Sequence, residues 1–160
     1  MKISIGADHR GFNLKESLKN YFDKNTKEIF GDNFLVEWQD VGAFDLERSD
    51  YPNFAKKVCE NVLSKKSDFG VLICGSGVGM SIAANRFKKI YAALCWNANI
   101  ANLVVKHDGA NVLILPSDFI SEEDALNIVK ILIASWNKQE AMEDRYKSRL
   151  QAIDEWKLCE

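Results

Sequence analysis

The stretch that most constrains this chain runs from Phe69 to Arg86, FGVLICGSGVGMSIAANR. It opens on an apolar run, Phe69 to Cys74, interrupted only by Gly70. Such a run fits a strand buried on both faces. Glycines follow at 75, 77 and 79, and then small residues suited to a tightly packed helix. A strand, a glycine turn and a helix in that order place Cys74 at the carboxyl end of a strand. The turn aims several backbone N–H groups into one space. The helix N-terminus adds partial positive charge, so an anion or a developing oxyanion would sit there. A thiol beside it is expected to ionise more easily than a free one.

The same alternation repeats along the chain. Lys2 to Ala7 reads as a first strand, followed by the turn Asp8-His9-Arg10-Gly11 and a helix over about Asn13 to Asp23. Asn25 to Asn33 is predicted as a polar connection, and Phe34 to Trp38 as a second strand. Asp40 to Asp50 is a charged loop. Tyr51-Pro52 then starts a helix with Phe54, Ala55, Val58, Cys59 and Val62 on its apolar face. Ala92 to Trp96 is a fourth strand, Asn97 to Lys106 a helix ended near Gly109, and Asn111 to Leu115 a fifth strand. Ser121 and Asp124 cap a helix through Trp136, and a last charged helix is predicted from about Gln139 to Trp156. The 160 residues therefore predict one α/β domain, doubly wound and three-layered. Its sheet is mostly parallel, five-stranded and Rossmann-like, with a long C-terminal helix. Ligands of such sheets sit beyond the carboxyl ends of the strands. Asp8-His9, the Cys74 loop and the polar edge of the fourth and fifth units are expected to meet there.

Composition removes several functions. A net charge of -2 gives no bulk attraction to nucleic acid or anionic lipid. The longest uncharged stretch, Ile90 to Val105, carries Asn97, Asn99 and Asn102 and is too short and polar to span a bilayer. Cys59, Cys74, Cys95 and Cys159 have no metal-site spacing, and Met1-Lys2-Ile3-Ser4 is not expected to open a signal peptide. Reduced thiols in the cytoplasm are expected.

Candidate chemistry centres on the glycine loop. A dinucleotide fingerprint needs a third glycine where this chain has Met80, and no G-K-[ST] exists for a Walker loop. The loop is spaced for some other oxyanion, or else serves packing alone. Cys74 reads as a nucleophile or base, or as a small core residue. His9 follows Asp8 in the ligand-facing layer, where the pair either binds a ligand or closes a turn. His107 precedes Asp108-Gly109 at a predicted helix C-terminus, as a general acid or as a residue favoured there by the helix dipole. Arg145 and Arg149 share one helix face, able to clamp a phosphate or to form a solvated surface.

Taken together, these blocks resemble a known family. Gly6-Ala7-Asp8-His9-Arg10-Gly11-Phe12, Ser49-Asp50-Tyr51-Pro52 and Cys74-Gly75-Ser76-Gly77-Val78-Gly79-Met80-Ser81-Ile82-Ala83-Ala84-Asn85 are similar to the type B ribose-5-phosphate isomerases. The galactose-6-phosphate isomerase subunits are their relatives. The resemblance continues through His107, Asn111-Val112-Leu113 and the Arg145/Arg149 pair. It implies a metal-free, cofactor-free interconversion of an aldose phosphate and a ketose phosphate. By that resemblance Cys74 is the base at carbon 2, and the N–H groups of Gly75, Gly77, Val78 and Gly79 hold the enediolate. Ser76 passes protons between the sugar oxygens, and His107 opens the ring. Asp8, His9 and Tyr51 bind and line the sugar site, Asp108 lies in it, and Arg145 and Arg149 hold the phosphate. A pocket shared between two subunits, in a homodimer or tetramer, is also implied.

The chain departs from that pattern in three places. Asp108 stands where the family has asparagine, and Pro116-Ser117-Asp118 where it has glycine-serine-arginine. A third phosphate arginine is thus missing, with Arg86 or Lys106 as candidate replacements. The segment from Asn25 to Glu47 is longer than usual. Ribose 5-phosphate and ribulose 5-phosphate are the expected pair. The alternatives are a six-carbon sugar phosphate, or a sugar-phosphate-binding protein without turnover.

Overall fold

The computed structural model describes residues 1–137 and 142–156. Strands and helices alternate: β1 (Lys2–Ala7), α1 (Phe12–Phe30), β2 (Glu37–Asp40), α2 (Tyr51–Leu63), β3 (Phe69–Cys74) and α3 (Val78–Ala84). Then come β4 (Ala92–Leu94), α4 (Ala98–Lys106), β5 (Val112–Pro116), α5 (Glu122–Asn137) and α6 (Asp144–Asp154). The strand order is β2-β1-β3-β5-β4, and every pairing is parallel. From the β1–β3 seam the chain winds outward in both directions, so the crevice beyond the carboxyl ends of these two strands is the topological switch point. Ala7 pairs with Ile73, and Cys74 with Pro116. Asp8 and Cys74 are therefore next in register, side by side at that crevice.

Side chains alternate between the two faces of a strand. Ile3, Ile5, Val71, Ile73, Leu113 and Leu115 pack with Leu18 and Phe22 of α1, Ala101 of α4, and Ile128 and Leu132 of α5. On the other face Leu72, Cys74, Val112 and Ile114 pack with Ala55 and Val58 of α2 and Met80 and Ala84 of α3. Cover on both faces explains why β3 reads as an unbroken apolar run. Gly70 lets α2 approach that strand, since a Cβ there would stand 2.7 Å from Val58.

The elements follow the predicted order, with β4 ending two residues early at Leu94 and three larger differences. The expected connection from Asn25 is helical through Phe30. Thr26 is buried and Ile29 and Phe30 lie against the core, so the polar residues between them are only the outer face of α1. The second strand falls at Glu37–Asp40 rather than Phe34 to Trp38. The last helix is 11 residues, Asp144–Asp154, because Met142 and Glu143 are not helical. The expected start near Gln139 lies outside the described residues. Ser121 does cap α5, its hydroxyl accepting the Asp124 N–H at 3.1 Å.

A buried cation that the sequence did not announce braces the site. Lys15 is fully buried on α1 and donates to both oxygens of Asp40, at 2.8 and 2.6 Å. Asp40 in turn accepts the Gly42 N–H at 2.9 Å. That loop hydrogen-bonds to Ala7 through Gly42 and Ala43, so α1 fixes the backbone that leads into Asp8.

Candidate active site

The first cluster is built from backbone at the carboxyl ends of β1 and β3. The Asp8 carboxylate accepts the N–H groups of Arg10 and Gly11 at 3.0 and 3.2 Å, which closes the turn after β1. Gly11 is required there, since a Cβ would come within 2.6 Å of the Ile73 carbonyl oxygen. His9 N–H donates to the Ser49 hydroxyl at 3.1 Å, and its Nδ1 accepts the Ser49 N–H at 3.3 Å. A neutral imidazole in that arrangement carries its proton on Nε2.

Cys74 is 4% exposed, and the N–H groups of Gly77 and Met80 donate to its sulfur. Burial pushes the thiol up, the two amides pull it down, and the charges of Asp8 and Asp118 push it up again. The net direction is upward, which corrects the expectation of an easily ionised thiol within one chain. Two amides expected to face an oxyanion already have partners: Gly77 donates to the sulfur, and Val78 to the exposed Ser76 hydroxyl at 3.3 Å. Gly77 turns into α3 at φ +74°, a conformation that favours glycine. Gly79 lies under the Tyr51 ring, where a Cβ would sit 2.8 Å from Cζ.

Asp118 is not an unpaired carboxylate in this crevice. It accepts from Arg10 Nε at 2.9 Å and Nη2 at 2.5 Å, and its own N–H donates to the Gly75 carbonyl at 3.0 Å. The pair sits directly over Gly75, where a Cβ would meet Arg10 Nε and Asp118 Oδ2 at 2.5 Å. Arg10 was not among the expected site residues. Its partner lies 108 positions away, so no local pattern announces the pair.

The second cluster is built from side chains. His107 ends α4 and stacks on Tyr146 of α6, with ring centroids 4.4 Å apart and planes at 14°. Arg145 and Arg149 bring their guanidinium carbons within 4.4 and 5.5 Å of the same ring. Gly109, at φ +59°, lets α6 dock, since a Cβ there would meet Leu150 at 2.7 Å and Met142 at 2.9 Å. A cavity of about 590 Å³ is lined by His107, Asp108, Tyr146 and Arg149 together with Arg86. Arg86, one of the two suggested replacements for the missing arginine, is therefore part of this cluster. Lys106, the other, does not line the cavity.

The two clusters occupy opposite edges of the sheet. In a parallel sheet every strand-to-helix turn lies at one edge and every helix-to-strand turn at the other. Cys74 ends β3 and is at the first edge. His107 ends α4, and Asn111, four residues on, accepts the Gly70 N–H and donates to the Tyr91 carbonyl at the start of the strands. The convergence expected from sequence therefore holds for Asp8, His9, the Cys74 loop and Ser117-Asp118. It does not hold for His107, Asp108 and the arginines.

The sequence pattern of the Ribose/Galactose Isomerase family matches residues 3–153. The chain belongs to that family. Ribose-5-phosphate isomerase B of Escherichia coli K12 is 34% identical over 152 residues, which cover 95% of this chain and 93% of that protein. A ribose 5-phosphate isomerase from Thermotoga maritima has a crystal structure 40% identical at a TM-score of 0.84, covering 97% of this chain and 98% of its own. Ribose-5-phosphate isomerase B of Mycoplasma genitalium, solved with ribulose 5-phosphate bound, is 33% identical at a TM-score of 0.80, covering 96% and 93%. The α/β fold of this sugar-phosphate isomerase thus follows theirs over nearly its whole length. No helix among its described residues is long and apolar enough to cross a membrane.

Proposed function

We propose that this isomerase interconverts ribose 5-phosphate and ribulose 5-phosphate, and that two copies of the chain complete each active site. The observation that carries the second part is the placement of Cys74 and His107 at opposite edges of one sheet. A cluster that binds a reacting carbon and a cluster that binds its phosphate are of use only when they face each other. A second copy, related by symmetry, brings the His107 edge of one chain to the Cys74 edge of the next.

In this reading Cys74 takes the proton from carbon 2 as a thiolate and returns it to carbon 1. The amides of Gly75, Gly77, Val78 and Gly79 receive the enediolate, those of Gly77 and Val78 exchanging their present partners for it. Ser76, exposed beside them, carries the proton between the oxygens of carbons 1 and 2. His107 protonates the ring oxygen to open the furanose, with Asp108 beside it. Asp8, His9 and Tyr51 hold the sugar. Arg145 and Arg149 hold the phosphate, with Arg86 as the further guanidinium. Every step is a proton transfer that balances on the substrate itself, so the scheme calls on no cofactor. Arginines from the neighbouring copy also supply what the single chain lacks. Positive charge at the Cys74 crevice draws the raised thiol back toward ionisation.

A coupled assay over five- and six-carbon sugar phosphates tests the reaction, with ribose 5-phosphate expected to give the highest kcat/KM. A six-carbon optimum would replace the substrate, and binding without turnover would leave a binding protein. Mixing Cys74→Ala with His107→Asn protein after dissociation tests the shared site. Random pairing puts half the chains in mixed dimers with one intact site of two, so recovery of roughly a quarter of wild-type activity is expected. No recovery above the separate variants would sink the shared site.

A further inference from the structure

Tyr146 is the one buried residue of α6, and its neighbours Arg145, Lys147 and Arg149 are exposed. A tyrosine buried to 7% exposure on a charged helix needs a partner for its hydroxyl, and here it accepts from Arg145 Nη2 at 2.7 Å. Its ring is occupied as well. The His107 imidazole lies nearly parallel to it, and both guanidinium groups lie within cation–π range. Two guanidinium groups and an imidazole have no mutual attraction that would gather them. The electron-rich ring supplies it, and Gly109 sets how closely α6 approaches the turn that carries His107. Arg145 has a second tether in Glu143, at 2.8 Å from its Nε.

We propose that Tyr146 is a positioning residue with two separable duties: its ring orients His107 for proton transfer, and its hydroxyl orients Arg145 for the phosphate. The inference rests on the roles assigned to His107 and Arg145 above. The two duties use different atoms, so conservative variants divide them. Tyr146→Phe keeps the stacked ring and removes the hydroxyl. Tyr146→Leu removes both and still fills an apolar space. A ring that only fills the core would make Phe neutral, and would let Leu lower stability without touching the kinetics.

The test is steady-state kinetics on ribose 5-phosphate for wild type, Tyr146→Phe and Tyr146→Leu, with thermal melts to show that each is folded. Phe is expected to raise KM about fivefold, the worth of one hydrogen bond, with kcat within about twofold. Leu is expected to raise KM similarly and to lower kcat roughly tenfold or more, as for a misplaced proton donor. Two further readouts do not depend on turnover. Inorganic phosphate titrated by calorimetry should bind more weakly to Phe than to wild type. The upfield ring-current shift of the His107 imidazole protons should persist in Phe and vanish in Leu. Wild-type phosphate affinity and KM in Phe would overturn the hydroxyl's duty, and an unchanged kcat in folded Leu would overturn the ring's. If Leu does not fold, Tyr146→Trp takes its place, with kcat expected to stay within about threefold because a stacking ring is kept; a tenfold loss there would overturn the ring's duty. A wild type inactive on every sugar phosphate would instead remove the reaction, while the phosphate titration still decides the hydroxyl.

Discussion

The Cys74 cluster and the His107 cluster are made of different materials. Around Cys74 the contacts are mostly backbone: two amides on a sulfur, Asp8 closing its turn, and glycines where a Cβ would strike a carbonyl, a ring or an ion pair. Around His107 they are side chain on side chain, between the end of α4 and the buried ring of Tyr146 on α6. Backbone in a buried sheet is fixed by the fold and changes little when one residue changes. Stacked side chains are fixed largely by one another. On the proposed function, deprotonation at carbon 2 falls to the rigid cluster, and ring opening and phosphate capture fall to the adaptable one. That division fits their proposed roles, since deprotonation tolerates little displacement and phosphate binding tolerates more.

Variants can break that contrast or sharpen it. The largest effect is expected at Cys74→Ala, which should lower kcat by about 10²–10⁴-fold, the usual range for a general base, and leave phosphate affinity unchanged. Loss of binding without loss of kcat would reverse the two assignments. Next comes Arg149→Ala, expected to raise KM about 10- to 100-fold with kcat nearly constant, the mark of lost uniform binding through a charged contact. An unchanged KM would return this arginine to a solvated face.

Rigidity of the first cluster is testable through Gly77→Ala. The new Cβ would stand 2.4 Å from Leu94 at a φ of +74°, so a loss of about 1–3 kcal/mol in urea unfolding is expected. A neutral result would show that the loop yields. Core thiols on either face give a pH-dependent version of the same question. Burial pushes Cys59 and Cys95 from 9.0 to about 12. The unfolded chain therefore loses these protons first. Stability is fully present below pH 9, where both states hold them, and falls as pH rises toward 12, by up to about 1.4 kcal/mol per unit for each thiol. Cys95→Ala should flatten that slope, and an unchanged slope would show that the thiol is not sealed. The smallest effect is expected from Asp118→Asn. It removes one of the two carboxylates that push Cys74 up, so alkylation by iodoacetamide at pH 8 should speed up about two- to fivefold. Slower alkylation would mean that Arg10 needs its partner to act on the sulfur.

Much of the fold was legible because parallel strands buried on both faces leave unbroken apolar runs, as β3 and β5 do. The end of α1 was not, because its outward residues outnumber Thr26, Ile29 and Phe30. The Cys74 cluster was legible for a local reason: glycine spacing records where backbone must pass close. Arg10 with Asp118, and Lys15 with Asp40, were not, since ion pairs between distant segments leave no spacing to read. Tyr146 was hidden between the two arginines that drew attention. The separation of His107 from Cys74 was within reach. The strand–helix alternation that predicts the sheet also sends the end of α4 to the far edge. The resemblance implied a pocket shared between two subunits, and only the topology divides its residues between the two edges.

The all-parallel sheet sends each helix back to the edge its strand came from. Chemistry divided between those edges makes catalysis, on the shared-site reading, a property of abundance. A copy diluted away from every other copy keeps both clusters and neither half of a turnover. Output at low expression would then fall with the square of the amount present, and the strength of self-association, more than the reactivity of any one side chain, would set how little of this protein suffices.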